Sequence, residues 1–568
     1  MGAGISRSLT AALALGALLI LFKPATLLHG CHPHEWEPEE LHVAGPSYES
    51  VEPPSASGDV QTPRDPDPAF ETVASEVERA IDARGWRGSE WGVLAVSVEN
   101  GDTLVSRNVG NPLIPASNVK VFTSAAALFH LGADFRFPTF ALTDGSVADG
   151  TVAGDLVLYG TGDPALSDRF HDSELEPFEE LARQLADNGI QRIRGDVVGD
   201  GSFFSGPMIP DTWDDAHLTA SYGAPASALS AGENLVTLRI GPADEPGEPP
   251  VVETEPEGAE LDLNVEATTV ARAPSRPLTV ERSDRHEPIQ IKGEIHTQAR
   301  DQWRRIPVVN PPLFAASLFR NTLEEEGIEV DGGVRSDDGQ DGGGRLARGS
   351  VHAPAWGEEA GANVLAVRHS PPLRELLPMV NERSSNLYAE LFVQAVGQVA
   401  AGEGSVEAGT REVERYLVER AGVASDAFNV VDGSGLSREN RASASAMIEI
   451  LRHMDRQEHA DVFWESMPVA AESARLRRMT GTAAAGNLQA KTGTIRQVSA
   501  LSGRVETADG ERVYFSILAN QVPSSRGAKD VEDAIGGRLA EFRRENGLVQ
   551  TAGERDGAPG SPEGATRR

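Results

Sequence analysis

The chain has 568 residues and a formal charge of −35, from 86 acidic and 51 basic side chains. This length exceeds what one hydrophobic core organises, so several domains are expected. The strong negative charge argues against binding to nucleic acid or to an anionic lipid surface. A single cysteine, Cys31, excludes an intramolecular disulfide framework.

The first 34 residues predict an export segment. Arg7 precedes an apolar run over residues 9–22, which has the length of a secretory signal core and is short for a membrane span. Three fates stay open for this segment: cleavage, lipidation at Cys31, or retention as a membrane anchor. Residues 35–67 are rich in Pro, Ser, Glu and Asp and predict a disordered linker. We therefore expect a periplasmic or cell-envelope protein, with N-terminal membrane association among the alternatives.

A serine and a lysine three positions apart precede a long apolar run. An amphipathic helix is predicted over 69–83 and a β-hairpin over 93–106. Ser117 and Lys120 then share one face of a helix predicted to begin at Pro115. Such pairs are common on helix surfaces, but this chain has only five lysines, and nearly all of its basic residues are arginine. Because lysine can lose its proton and arginine cannot, the pair predicts a nucleophilic serine beside a basic lysine.

A long stretch separates this pair from the next candidate motif. Short runs of β-branched and aromatic residues predict several strands, and helices are predicted over 178–188 and from Pro311 to residue 327. Two acidic, Pro- or Gly-rich stretches, 244–260 and 331–344, predict solvated loops. Since no single connecting loop is this long, whole domains are expected to be inserted here.

Two further short motifs follow. Ser384-Ser385-Asn386 lies in a helical region that Pro378 is expected to interrupt, so the motif is predicted at a break between two helices. A serine here would also suit a helix cap. Lys491-Thr492-Gly493-Thr494 lies in the first of three strands of a predicted antiparallel sheet, at its edge. A closing helix is predicted over 531–545, and 547–568 is expected to be a disordered tail.

The motifs S-x-x-K, S-x-N and K-T-G, in this chain order, resemble those of the penicillin-recognising serine enzymes. Ser117 and Ser384 are 267 positions apart. With this spacing the chain is similar to peptidase family S13, the D-alanyl-D-alanine carboxypeptidases/endopeptidases or class C low-molecular-mass penicillin-binding proteins. In that family two domains are inserted between the first two motifs. The stretches Gly162-Asp163-Pro164, Tyr222-Gly223-Ala224-Pro225 and Asp432-Gly433-Ser434-Gly435 also resemble it.

The resemblance implies an α/β (α+β) fold. Its penicillin-recognising domain, of the serine β-lactamase/transpeptidase type, would have a central antiparallel sheet flanked by helices, and the two inserted domains would be mainly β. The domains expected are a discontinuous catalytic domain at 68–138 and 374–546, an inserted domain II at 139–162 and 268–373, and an inserted domain III at 163–267.

The resemblance also implies a serine-type D-Ala-D-Ala carboxypeptidase/endopeptidase that acts on peptidoglycan stem peptides through an acyl-serine intermediate and is acylated by β-lactam antibiotics. Ser117 would be the nucleophile, Lys120 the base when neutral, and Ser384 the relay of the proton to the leaving amine. We expect Asn386, Lys491, Thr492, Gly493 and Thr494 to bind substrate, and the N–H groups of Ser117 and Thr494 to form an oxyanion hole. No metal or organic cofactor is needed.

Two finer expectations concern the third motif. A neighbouring Lys491 would lower the pKa of Lys120, because two close cations destabilise each other. Gly493, which has no side chain, would let the substrate backbone approach the strand.

Two alternatives stay open. The same motifs would serve a β-lactamase or esterase, although antibiotic hydrolysis needs no inserted domains of this size. A non-catalytic penicillin-binding scaffold of the envelope is the other alternative, although it would have no need for lysines at positions 120 and 491. The sequence does not determine the balance of carboxypeptidase and endopeptidase activity or the oligomeric state.

Overall fold

The structure is a computed structural model that describes residues 68–256, 261–284, 287–337 and 363–544. The predicted export segment (1–34), linker (35–67) and C-terminal tail (547–568) lie outside the described residues, as does part of the Gly- and Asp-rich stretch. Across the described ranges, no helix is both long and apolar enough to cross a bilayer.

The helices follow the apolar periodicity that predicts them. In chain order they are α1 (Pro68–Asp82), α2 (Val119–His130), α3 (Glu176–Asp187), α4 (Pro311–Glu325), α5 (Leu373–Asn381), α6 (Asn386–Ala401), α7 (Val406–Glu419), α8 (Ala444–Met454), α9 (Ala460–Glu465) and α10 (Ser525–Glu541). Polar side chains cap the first turn of α4, α6, α7, α8 and α10, because each accepts a hydrogen bond from a backbone N–H three residues further on.

The strands are short in the middle of the chain and longer at its two ends. They are β1 (Glu90–Ser97), β2 (Thr103–Arg107), β3 (Pro138–Thr143), β4 (Val147–Ala148), β5 (Thr151–Val152), β6 (Leu156–Gly160), β7 (Arg192–Ile193), β8 (Val197–Asp200), β9 (Leu235–Gly241), β10 (Val251–Glu255), β11 (Leu263–Val265), β12 (Thr268–Val270), β13 (Thr279–Glu281), β14 (Ile289–Lys292), β15 (Glu294–His296), β16 (Gln302–Pro307), β17 (Glu329–Val330), β18 (Val334–Asp337), β19 (Asn363–His369), β20 (Phe428–Asn429), β21 (Arg441–Ala442), β22 (Gln489–Ile495), β23 (Val498–Glu506) and β24 (Arg512–Asn520).

A five-stranded sheet, in the order β2-β1-β24-β23-β22, joins the two ends of the described chain. Every neighbouring pair in it is antiparallel. Successive residues of a strand point to opposite faces, and here Tyr514 packs into a helical core built on α2, α5, α6 and α8, whereas Phe515 packs beneath α1 and α10. The predicted antiparallel sheet flanked by helices is therefore confirmed.

The stretch between α2 and α5 forms smaller sheets. The largest has the order β18-β8-β6-β3-β19, and a four-stranded sheet has the order β17-β7-β5-β4. Helices α3 and α4 pack into the same apolar core as several of these strands. This stretch is mainly β as predicted, with parallel as well as antiparallel pairs.

The boundaries between inserted domains II and III, at residues 139–162, 163–267 and 268–373, remain predictions. Strand β8 lies in the range assigned to domain III, and it pairs with β6 and β18 from the ranges assigned to domain II. One sheet therefore contains segments from both predicted inserted domains.

Two local predictions need correction. Pro378 does not interrupt a helix but lies inside α5, which continues to Asn381. A proline inside a helix removes one hydrogen bond, and the complete burial of Leu376, Leu377 and Val380 on this helix outweighs that loss. The closing helix α10 begins at Ser525, before the predicted residue 531, because Ser524 caps it.

Candidate active site

Ser117 lies on a 3-10 turn, Ala116–Asn118, that leads directly into α2. The α-helix begins at Val119, so the predicted start at Pro115 is wrong by one tight turn. Ala116 has a φ of +47°, a left-handed conformation that costs a non-glycine residue about 1–3 kcal/mol. Lys120 nevertheless faces Ser117, and its Nζ lies 3.1 Å from Ser117 Oγ.

Ser384 and Asn386 lie at the junction of α5 and α6. Ser384 also has a left-handed φ, +59°, which turns the chain sharply, and Ser385 caps α6. As a result Ser384 Oγ accepts a hydrogen bond from Lys491 Nζ at 2.9 Å, and Asn386 Oδ1 accepts one from Lys120 Nζ at 2.7 Å. The break between helices is present, but the left-handed serine makes it, not the proline.

Strand β22 is an outermost strand of the central sheet and carries Lys491-Thr492-Gly493-Thr494. Lys491 is fully buried and also donates to the carbonyl of Thr492 at 2.8 Å. Asn118 Nδ2 donates to the carbonyl of Lys491 at 3.3 Å, so the strand rests on the turn that holds Ser117. Thr492 is half-buried and Thr494 is exposed at the strand edge.

Gly493 is needed for a reason that the sequence did not indicate. A Cβ at this position would lie 2.8 Å from the carbonyl oxygen of Pro115 and 2.9 Å from Asn118 Nδ2. These distances are below normal van der Waals contact, so a side chain would push the strand away from the Ser117 turn. The glycine thus keeps the first and third motifs in contact.

The three hydrogen-bond neighbours of Lys120 Nζ define the direction of its lone pair. Asn386 Oδ1, at 2.7 Å, and the carbonyl of Ser434, at 2.6 Å, can only accept hydrogen bonds. A neutral amine has two N–H groups, and these two acceptors occupy both. The lone pair is then left for the hydroxyl of Ser117, which is the geometry of a general base beside its nucleophile.

The pKa values of the two lysines are lowered, mainly by burial. Burial lowers the pKa of Lys120 to about 7, while the carboxylates of Asp432 and Glu390 oppose this shift and the Arg475 cation adds to it. The predicted lowering is present, but it comes from burial and the Arg475 cation, and Lys491 is not among its causes. The pKa of Lys491 lies well below its ordinary value, because of burial first and then the Lys120 and Arg475 cations.

Several groups around the site were given no role from the sequence, although the stretches that contain Tyr222, Asp432 and Ser434 resemble the family and the resemblance implies that the turn at 432–435 lies near the cleft. Besides the Ser434 carbonyl, they are the buried carboxylates of Glu390 and Asp432 and two residues of the inserted stretch. The carbonyl of Tyr222 accepts from Asn386 Nδ2 at 2.8 Å, and Trp213 Nε1 donates to Asp432 Oδ2 at 3.0 Å. One signal for Glu390 was available: it is a lone charge in an apolar run, four residues after Asn386.

In the part of the chain that the structure describes, no three His, Cys, Asp or Glu side chains are grouped so that they could hold a metal ion.

A serine and a lysine on one helical turn, a serine and an asparagine from a second helical junction, and a lysine on an edge strand together define the penicillin-recognising serine enzymes as a class. The model of the D-Ala-D-Ala carboxypeptidase 3 (S13) family matches residues 73–542. The chain belongs to this family, and the predicted family is confirmed.

Two relatives match this chain over most of the length of both proteins. The D-alanyl-D-alanine carboxypeptidase of Actinomadura sp. is 34% identical over 505 residues, which cover 85% of this chain and 88% of that protein. The D-alanyl-D-alanine carboxypeptidase DacB of Haemophilus influenzae is 27% identical, covering 76% of this chain and 86% of the relative.

The crystal structure of penicillin binding protein 4 from Haemophilus influenzae superposes with a TM-score of 0.66. It is 24% identical in sequence, and the match covers 83% of this chain and 98% of that chain. This likeness concerns the fold, and it agrees with the predicted fold class.

Proposed function

We propose that this chain is a serine-type D-Ala-D-Ala carboxypeptidase that uses Ser117 as its nucleophile and is acylated by β-lactams. One observation carries the proposal: both N–H groups of a neutral Lys120 have fixed acceptors, so its lone pair is left for Ser117 Oγ. Membership of the D-Ala-D-Ala carboxypeptidase family and the activity named for its relatives support the substrate class.

In the proposed reaction Lys120 takes the hydroxyl proton as Ser117 Oγ attacks the carbonyl carbon of the D-Ala-D-Ala peptide bond. The new C–O bond gives a tetrahedral oxyanion, which the backbone N–H groups of Ser117 and Thr494 would stabilise by about 3–4 kcal/mol per donor. The C–N bond then breaks, and Ser384 relays to the leaving amine the proton that Lys120 took, which returns Lys120 to its neutral form. Water hydrolyses the ester and regenerates Ser117.

Lys491 has an indirect part in this scheme. It is buried, and its Nζ donates to Ser384 Oγ, so it positions the proton relay. A substrate carboxylate that binds nearby would favour the charged form of Lys491. Thr492 and Thr494 would add hydrogen bonds to that carboxylate, because their hydroxyls can donate. Asn386 would orient both Lys120 and the substrate amide.

The finer parts of the proposal concern location and substrate. We place the protein in the cell envelope, with peptidoglycan stem peptides as substrates, and we include cleavage of peptide cross-links as a second activity of the same site. The apolar run at residues 9–22 supports export. Release of D-Ala from muropeptides, followed beside cleavage of cross-linked dimers, would separate carboxypeptidase from endopeptidase activity.

The direct test is mass spectrometry of the protein after incubation with benzylpenicillin. We expect a penicilloyl adduct on the peptide that contains Ser117, and we expect Ser117→Ala to abolish it. Ser445→Ala is the matched control, because Ser445 is a half-buried serine on α8 with no place in the proposed mechanism, and it should keep the adduct.

Two results would contradict the proposal. Rapid consumption of penicillin without an accumulating adduct would favour a β-lactamase. Neither adduct nor consumption would favour a non-catalytic scaffold.

A further inference from the structure

A buried glutamate behind Lys120 has no part in the reaction described above. Glu390 lies on α6, one helical turn after Asn386, and is 0% exposed. Its two carboxylate oxygens accept hydrogen bonds from successive backbone N–H groups, Oε2 from Gly433 at 3.1 Å and Oε1 from Ser434 at 2.9 Å. A buried carboxylate costs free energy unless it is paired, and here backbone donors pair it.

The consequence of this contact appears on the opposite side of the same backbone. The carbonyl of Gly433, in the same peptide as the Ser434 N–H, accepts from Thr123 Oγ1 at 2.7 Å, and the carbonyl of Ser434, in the next peptide, accepts from Lys120 Nζ at 2.6 Å. Both carbonyls therefore face α2, the helix that carries Lys120. Residues 433 and 434 are thus held by Glu390 on one side and by α2 on the other.

Asp432 fixes the rest of this loop from within. Its Oδ1 accepts from the N–H of Gly435 at 2.6 Å, and its Oδ2 accepts from the N–H of Ser437 at 2.7 Å and from Trp213 Nε1. The Oδ1 contact also holds the peptide that contains the Ser434 carbonyl, because that carbonyl and the Gly435 N–H belong to one peptide group. The N–H groups of Gly433 and Ser434 are left to another acceptor. Only Glu390, among the described side chains, accepts from these two N–H groups.

We propose that Glu390 is a positioning residue for the acylation step: it holds the Gly433 and Ser434 N–H groups and, together with Asp432, keeps the Ser434 carbonyl on Lys120, so that the lone pair of the Lys120 amine is directed at Ser117. This role rests on the proposed function, because it assumes that Lys120 is the base. Without Glu390 the two peptides before the Ser434 carbonyl lose their acceptor. Residue 434 can then shift away from α2 although Asp432 still holds the Gly435 N–H, and one N–H of Lys120 can turn toward Ser117 in place of the lone pair.

The charge of Glu390 has a second, separable effect on Lys120. The charged groups that shift the pKa of Lys120 are Asp432 and Glu390, which raise it, and Arg475, which lowers it. Lys120 in turn lowers the pKa of Lys491, which lies on β22. Burial and Asp432 also raise the pKa of Glu390 itself, while its hydrogen bonds from Ser434 and Gly433 and the Lys120 cation oppose this shift. Loss of the glutamate charge would therefore lower the pKa of Lys120, whereas loss of position would lower the rate at every pH.

The test measures the rate constant of acylation by benzylpenicillin, over pH values on both sides of neutrality, in the full chain and three variants. Glu390→Gln removes the charge and puts an amide N–H against a backbone N–H. We expect the plateau that the rate constant reaches at high pH to fall on the order of 100-fold, which is the effect of a small misplacement of catalytic groups. We also expect a downward shift of the half-maximal pH, the pH at which the rate constant is half of its plateau value. Glu390→Asp keeps the charge but shortens the reach, so it should lower the plateau and leave the half-maximal pH near that of the parent.

Glu511→Gln is the matched control for the loss of a buried carboxylate. Glu511 is also 0% exposed, and its two oxygens accept from Arg544 Nε and Nη2 at 2.8 and 2.6 Å, in the turn between β23 and β24. We expect this variant to have a lower melting temperature and an unchanged acylation profile.

The outcomes are distinct. If the parent is acylated and Glu390→Gln matches it in plateau and half-maximal pH, the inference is wrong. It is also wrong if Glu390→Gln and Glu511→Gln lose rate in equal proportion to their loss of melting temperature, since that indicates a general structural role. A parent that is not acylated would overturn the proposed function instead. Should Glu390→Gln fail to fold, an unchanged plateau in Glu390→Asp overturns the inference.

Discussion

Asn386→Asp is the substitution that most directly tests Lys120 as a base. It places a carboxylate oxygen where Oδ1 now stands, 2.7 Å from Lys120 Nζ. Two unit charges at that distance attract each other by roughly 6 kcal/mol at an effective dielectric constant of about 20. Two effects offset about half of this attraction. The new carboxylate loses hydration, and it is repelled by the Tyr222 carbonyl, which in the parent accepts a hydrogen bond from Asn386 Nδ2. About 3 kcal/mol then favours the ammonium form of Lys120.

This value can be converted to a rate because only the neutral amine can take the Ser117 proton. With a pKa of about 7, roughly half of Lys120 is neutral at pH 7 in the parent, and the acylation rate should rise with pH through this value to a plateau. Each 1.36 kcal/mol reduces the neutral fraction tenfold. We therefore expect acylation of the variant at pH 7 to fall on the order of 100-fold and to recover as the pH is raised by about two units.

The assay is the rate constant of acylation by benzylpenicillin as a function of pH, with Asn386→Ala as the control. The alanine variant loses both hydrogen bonds of Asn386, to Lys120 and to Tyr222, and adds no charge, so its plateau should fall with no upward displacement of the half-maximal pH. If Asn386→Asp behaves like Asn386→Ala, with a lower plateau and no recovery at high pH, the assignment of Lys120 as the base is refuted.

Two further predictions concern the loop behind Lys120. Trp213→Phe removes the donor to Asp432 but keeps an apolar ring, so we expect a loss of about 1–3 kcal/mol in the free energy of unfolding and slower acylation, measured by denaturant unfolding and the same penicillin assay. Gly435→Ala should destabilise the fold by more than about 1 kcal/mol, because Gly435 has a φ of +80° and a Cβ there would lie 2.0 Å from the carbonyl oxygen of Ala116. Gly422→Ala is its control, since that glycine has a similar φ of +71° and open space around it; equal losses in the two variants would refute the role of the contact.

The sequence alone was sufficient to predict the helices that depend on a local pattern of apolar residues. Apolar periodicity predicted α1, α3 and α4 to within a few residues, because each helix buries one face and exposes the other. Pro378 shows the limit of local reasoning. Its helix-breaking tendency is real, but the burial of neighbouring leucines decided the outcome, and burial is a property of the whole fold.

The candidate site shows the same division. Ser117 and Lys120 could be paired from their spacing, since residues three apart on a helical turn are neighbours. Asn386 and Lys491 are separated by long stretches of chain from the groups they contact, so no local rule joins them, and only the resemblance of the three motifs to a known family predicted that they meet.

By itself, the sequence predicted the family, the antiparallel sheet with its helices, and the serine, lysine and asparagine side chains of the three motifs. Only the tertiary structure decided how Lys120 is oriented and how strongly it holds its proton. The physical reason is that these properties depend on groups with no sequence signature: a backbone carbonyl at Ser434, which any residue could supply, and the burial of Lys120 behind it. A motif identifies the residues, whereas hydrogen-bond direction and desolvation arise only when distant segments pack together.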